Sequence, residues 1–217
     1  MQDYAKSERT AEHSPDGLRG DAMSDIQATT AAASAVQARA RAKVFFSTTL
    51  PKVPPNAAVV TKGTFDLIHA GHLALIAFCA EQAAAIASQQ IVVIVESDDS
   101  VRARKGPKRP IQPQEQRALQ IALLSDVQIV ILARKDELPQ VLEHVQPAVY
   151  VKGIDTTGAV NTTESSDQTM ALAVASNVEL TFLPQTCRVV VFTDDGSLST
   201  SALIRQIQTG SSAPNHP

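Results

Sequence analysis

The chain has 217 residues, of which 44% are hydrophobic and 19% charged, with a formal net charge of −3. That length supports one domain with a sizeable core plus extensions. The mildly acidic balance argues against a nucleic-acid surface, and no uninterrupted apolar run approaches the length of a membrane span. Cys79 and Cys187 lie far apart and form no metal or redox motif, so a reducing cytoplasm is the expected compartment. The N-terminus lacks the apolar core of a secretory leader.

Residues 1–56 differ from the rest. The first twenty are polar and of mixed charge, and Met23, itself a candidate start, opens an alanine-rich run from Ser24 to Lys43. Helix propensity is high there, but few large apolar groups are available for burial. A flexible extension is therefore expected, ahead of the organelle transit peptide that Arg39, Arg41 and Lys43 faintly suggest. Pro51, Pro54 and Pro55 interrupt the chain before the first strand.

From residue 57 to residue 208, strand and helix alternate. Strands are predicted at Ala57–Thr61, Ile91–Glu96, Gln128–Leu132, Ala148–Lys152 and Val178–Phe182. Helices are predicted at Gly71–Ser88, Pro113–Leu124, Asp136–His144, Asp167–Ala175 and Ser199–Gln208, with residues 209–217 as a tail. Arg188–Thr193 adds a possible short strand at the sheet edge. This alternation predicts an α/β domain: a Rossmann-like, doubly wound parallel sheet of about five strands.

The most informative stretch is Gly63-Thr64-Phe65-Asp66-Leu67-Ile68-His69-Ala70-Gly71-His72. It reads as strand exit, turn and helix start, with two imidazoles at i and i+3 on one helix face. The free N–H groups and dipole of a first helical turn favour an anion. Gly71 leaves room for that anion, and Gly63 permits a tight exit from the strand. The physical reading is a polyphosphate cradle. A zinc half-site is disfavoured, because the other histidines, His13, His144 and His216, supply no third ligand at usual spacing.

At these residues the chain resembles the nucleotidyltransferase superfamily whose signature is GxFDxxHxGH, and it matches every fixed position. The resemblance implies transfer from a nucleoside triphosphate to a phosphorylated acceptor, with release of pyrophosphate. It further implies catalytic roles for His69 and His72, backbone contacts from Thr64 and Phe65, and a nucleotide-binding segment running from Gly63 through Asp66 to Gly71. Mg²⁺ is the implied cofactor.

In a parallel sheet, ligands bind beyond the carboxyl ends of the strands. Every other candidate segment falls there. Ser97-Asp98 follows the second strand, where Asp98 either accepts bonds from hydroxyls of the acceptor or turns the chain out of the strand. Arg102, Arg104, Lys105, Lys108 and Arg109 form a basic loop stiffened by Pro107 and Pro110, suited to an anionic small molecule. We expect Lys105 and Arg109 to bind the acceptor and Lys108 to join the catalytic set. Gln114-Glu115-Gln116-Arg117 opens the next helix. Together these segments are similar to the bacterial heptose-1-phosphate adenylyltransferases, over roughly residues 57–207. That likeness implies that Arg117 supports the acceptor site or a subunit contact, and an exposed salt bridge at the helix start is the competing reading.

Lys152-Gly153-Ile154-Asp155 departs from the heptose pattern, in which a second glycine precedes the aspartate. Ile154 disfavours positive φ, so this loop is expected to hold its nucleotide or acceptor differently, with Lys152, Gly153 and Asp155 assigned to the nucleotide. Ser199-Thr200-Ser201 resembles the phosphate motif of these families, with Ser199 also able to cap the helix. The stretch Cys187–Ser197 is longer than expected between strand and motif, and Asp194 and Asp195 would repel a triphosphate. The expected partners are an NTP, ATP first, and a phosphorylated small molecule such as a sugar 1-phosphate. A homodimer is expected, with neither nucleic acid nor membrane as partner. Cytidylyl transfer to a polyol phosphate, FAD synthetase-like adenylyl transfer and non-catalytic nucleotide binding stay open as alternatives.

Overall fold

The computed structural model describes residues 33–88, 90–155, 181–194 and 200–209. By its contacts the chain divides into two units, Met1–Ala38 and Arg39–Pro217. In the first, residues 33–38 are helical, and the helix, α1, continues to residue 42. The second unit carries a parallel sheet: β1 (Val44–Phe46), β2 (Ala58–Gly63), β3 (Gln90–Glu96), β4 (Ile129–Ala133), β5 (Val149–Asp155) and β6 (Arg188–Asp194). Its helices are α2 (Ala70–Ala85), α3 (Asp98–Lys105), α4 (Gln114–Ala122), α5 (Leu138–Val145) and α6 (Thr200–Thr209).

The strands lie in the order β1-β4-β3-β2-β5-β6, every neighbouring pair parallel. Valine and isoleucine dominate the central strands because both faces are covered. Alternate residues divide between two cores. Val59, Val93, Val95, Val130 and Val151 meet Leu75, Ile76 and Cys79 of α2 and Ile121 of α4. Val60, Val92, Ile94, Ile131 and Tyr150 meet Leu138, Val141 and Leu142 of α5. The fold is Rossmann-like and doubly wound, as predicted.

The sheet has six strands rather than about five, and the additional one lies inside the expected extension. Val44, Phe45 and Phe46 pair with Val130, Ile131 and Leu132. Lys43 anchors that entry by donating to the carbonyls of Leu124 (3.3 Å) and Val127 (2.7 Å). Three residues show no periodicity, which is why a boundary at residue 57 passed over them.

Two further expectations change. Of the strand expected at Val178–Phe182, the last two residues form a 3-10 turn and the others lie outside the described residues. The strand beside β5 is Arg188–Asp194, so most of the surplus length before α6 is sheet. Part of the expected basic loop is helical. Ser97 caps α3 by accepting from the Ser100 N–H at 3.3 Å, and Asp98 and Asp99 sit in the first turn, where the dipole favours them. The helix expected at Asp167–Ala175 lies outside the described residues.

Candidate active site

From β2 the chain steps outward to β3 and β4, then returns to the other flank of β2 as β5. The carboxyl ends of β2 and β5 therefore form the point where strand order reverses, the usual place for a ligand in an open α/β sheet. The glycine turn and the start of α2 leave β2 there. Lys152, Gly153 and Asp155, expected in a loop, lie instead within β5, whose ladder with β6 pairs them with Val191, Phe192 and Asp194.

The turn is built differently from the expectation. Gly63 has no need of positive φ. A Cβ there would come within 2.9 Å of the Phe65 ring, so it is close approach that requires glycine. The left-handed conformations belong to Phe65 and Leu67, each at φ 51°. Phe65 is fully buried, and that packing holds an otherwise unfavourable backbone in place.

His69 is the N-cap of α2, and its side chain makes no capping bond. Its ring stacks on His72 with centroids 3.8 Å apart, and His72 in turn lies 5.2 Å from the Phe65 ring. Burial, then His69, then the Lys105 ammonium push the His72 pKa down to about 3, so its imidazole is neutral near pH 7. The His72 Nδ1 is buried without a hydrogen-bond partner among the described residues. Lys105, at the end of α3, is itself held below the usual lysine range by desolvation and then by Arg104 and Arg109.

Several predicted binding residues instead support one another. Asp66 is 1% exposed and accepts from the N–H groups of Ile111 (2.9 Å) and Gln112 (3.0 Å) and from Arg109 (3.1 Å). Its carboxylate ties the loop after α3 to the glycine turn. Asp66 and Arg109 are thus paired with each other within the protein, at 3.0 Å. Arg117 is fully buried, so the exposed salt bridge is ruled out. Its guanidinium donates to the carbonyls of Gln112 (3.0 Å), Glu96 (2.7 Å) and Thr64, and to Asp98 Oδ1 (2.7 Å). Asp98 thus spends one oxygen inside the protein. Lys108 is exposed at the rim of the loop.

The Thr200 hydroxyl donates to the Asp66 carbonyl, which brings the start of α6 to the same turn. Gly71 is buried in the first turn of α2. Ser199 lies outside the described residues, as do the side chains of Asp155 and Ser201. A cluster not singled out from the sequence joins Lys62, Glu96 and Arg104. Burial alone would raise the Glu96 pKa, but Lys62, Arg104 and the Thr64 hydroxyl outweigh it and hold the carboxyl below its usual range. A separate hollow of about 250 Å³ beside Phe46, Ser97, Arg134 and Glu137 contains none of the predicted site residues.

Among the described residues, no group of three or more His, Cys, Asp or Glu could hold a metal. The nearby carboxylates of Asp66, Glu96 and Asp98 are already paired with cations. No helix among the described residues is long and apolar enough to cross a membrane.

Parallel sheet, switch-point turn and paired imidazoles define the class: a nucleotidyltransferase-type α/β domain. A sequence model of the cytidylyltransferase-like family matches residues 60–206, and the chain belongs to that family. It is 41% identical over 99 residues to the bifunctional protein HldE of Gluconobacter oxydans, covering 46% of this chain and 20% of the relative. It is 38% identical over 125 residues to the HldE of Caulobacter vibrioides, covering 58% and 24%. The matches therefore span about a fifth to a quarter of those relatives. Among solved structures, a lipopolysaccharide core biosynthesis protein from Thermoplasma volcanium is 21% identical with a TM-score of 0.44, covering 62% of this chain and 94% of that one.

Proposed function

We propose that the domain transfers a nucleoside monophosphate, AMP from ATP, to a phosphorylated small molecule such as a sugar 1-phosphate. An acceptor phosphate oxygen attacks the α-phosphorus. The new P–O bond forms as the bond from the α-phosphorus to its bridging oxygen breaks, and pyrophosphate leaves with that electron pair. Such chemistry asks the protein for alignment and charge neutralisation rather than covalent help.

The observation that carries this reading is the His69–His72 stack at a helix start that no side chain caps, at the switch point of the sheet. Neutral His72 would act as a hydrogen-bond donor to a phosphate oxygen, not as a fixed charge. The cations come from Lys105 and Lys108. Arg117, Asp66 and Arg109 would hold the turn and loop at the spacing the reaction needs, and Thr200 would fix the last phosphate-binding segment. Mg²⁺ enters as the counter-ion of the triphosphate. Use of ATP is consistent with work in the cytoplasm, and a homodimer is the proposed assembly.

The test is a panel of NTPs and phosphorylated acceptors scored by pyrophosphate release. ATP with a sugar 1-phosphate should give the highest kcat/KM. Preference for CTP with a polyol phosphate, or for ATP with FMN, would reassign the acceptor within the same chemistry. Tight NTP binding without pyrophosphate from any pair would make this a non-catalytic nucleotide-binding domain.

A further inference from the structure

Lys62 precedes Gly63 at the end of β2, outside every motif read from the sequence. Val60 and Tyr150 share the α5 face of the sheet, so Lys62 and Lys152, each two residues further on, share it too. Thr61 and Val151 are register partners. One step beyond them, Lys62 and Lys152 stand on neighbouring strands at the carboxyl rim. Like charges so placed repel.

Glu96 balances Lys62 from the other flank. Its Oε1 lies 3.4 Å from Lys62 Nζ, while its Oε2 accepts from the Thr64 hydroxyl at 2.9 Å and from Arg104. Arg104 also donates to Thr64 Oγ1 at 3.0 Å. The side chains of Lys62 and Glu96 are only 16% and 11% exposed, so these charges are largely withdrawn from water. One carboxylate thus meets cations from β2 and α3 against the glycine turn.

We infer that Lys62 is a further phosphate-binding residue, with Glu96 as the counter-ion that an incoming phosphate replaces. This rests on the nucleotidyl-transfer reading. Charge-assisted N–H···O contacts usually measure about 2.7–2.9 Å, so the Lys62 contact is long and exchangeable. Thr64 and Arg104 keep Glu96 anchored through its other oxygen when Lys62 turns to the ligand. Until then the carboxylate screens the rim from small free anions.

The full chain and its Lys62→Gln, Lys62→Arg, Glu96→Gln and His72→Ala variants are titrated by calorimetry. Tripolyphosphate stands for the nucleotide tail and glucose 1-phosphate for the acceptor. Lys62→Gln should weaken one probe by about tenfold or more, as loss of one charge-assisted bond implies. Lys62→Arg should stay within about threefold of wild type, and Glu96→Gln should tighten the same probe, since its competing charge is gone. The responding probe identifies which substrate carries the phosphate. Acylation of Lys62 in the wild-type chain, followed by mass spectrometry, should fall when that probe is added, which makes the test independent of any variant's folding. Unchanged affinity in Lys62→Gln with unprotected Lys62, while His72→Ala loses tripolyphosphate, would overturn this inference alone. No loss in either variant would overturn the nucleotidyl-transfer reading as well.

Discussion

Arg117, in α4, donates from its buried guanidinium to the backbone carbonyl of Thr64, the second residue of the glycine turn. A helix 53 positions further along the chain therefore sets where that turn sits. Lysine cannot reproduce a planar fork serving several acceptors at once. Arg117→Lys should lower unfolding free energy by about 3–5 kcal/mol, the usual cost of breaking a buried charged network. Urea denaturation measures it, and a loss below about 1 kcal/mol would show that the network is not a brace.

His69→Ala and His72→Ala should each slow turnover by more than about tenfold with the fold intact, since removing one donor to developing charge costs about 2–4 kcal/mol of barrier. The readout is kcat beside the circular dichroism spectrum. Wild-type kcat in both variants would remove the imidazoles from the mechanism.

The depressed pKa of His72 has a consequence for stability. Its folded value, about 3, lies below the 6.5 of an ordinary imidazole, so between those limits the unfolded chain binds the extra proton. Stability then rises with pH through that window and falls on acidification. His72→Asn removes the titrating group, so its stability should change less than wild type between about pH 6 and pH 4. Parallel slopes for the two proteins would contradict a neutral buried imidazole.

Lys108 and Arg109 are neighbours in sequence but should respond differently. Arg109 is 13% exposed in its side chain and paired with Asp66 at 3.0 Å, whereas Lys108 is exposed. Arg109→Ala should lower Tm and raise proteolysis across residues 106–112. Lys108→Ala should leave Tm in place and raise KM for the phosphorylated acceptor by about tenfold, the value of one charge-assisted bond. Equal effects on both substrates would put Lys108 on the triphosphate instead.

Truncation separates the two units. Removing residues 1–38 should leave Tm nearly unchanged, because the second unit retains its own sheet and core. Removing residues 1–50 takes away β1 and both bonds from Lys43, and should lower Tm by on the order of 5–10 °C. Equal midpoints for the two truncations would show that β1 adds nothing.

Much of the fold could be read in advance because its signals are local. Apolar runs such as Ile91–Glu96, followed by polar turns and apolar-periodic helices, state a parallel sheet directly, and the turn from Gly63 to His72 marks where its ligand would sit. What escaped depended on partners distant in sequence. Arg117 looks like a solvated residue at a helix start until Thr64, Glu96 and Asp98 close around it. Asp66 sits within a phosphate motif, yet its carboxylate is taken by Arg109 and the backbone after it. Lys62 stands next to last in β2 and Glu96 ends β3, and only the pairing of those strands makes them a unit. The helix α3 was missed as well: Ser97 caps it and Asp98 and Asp99 fill its first turn, but the density of cations and prolines after them reads as a loop.

The short strand β1 also bears on how this molecule behaves in a crowded solution. A sheet rim exposes unpaired backbone on which another chain can zip, and β4, with its continuous apolar run, would be an inviting template if it were the rim. Three residues of β1 cover it, and among the described residues Phe46 already closes a turn onto Thr49 through its own N–H and carbonyl. The sheet thus ends where a foreign strand finds too little to hold, and self-association into fibrous aggregates is disfavoured on that side.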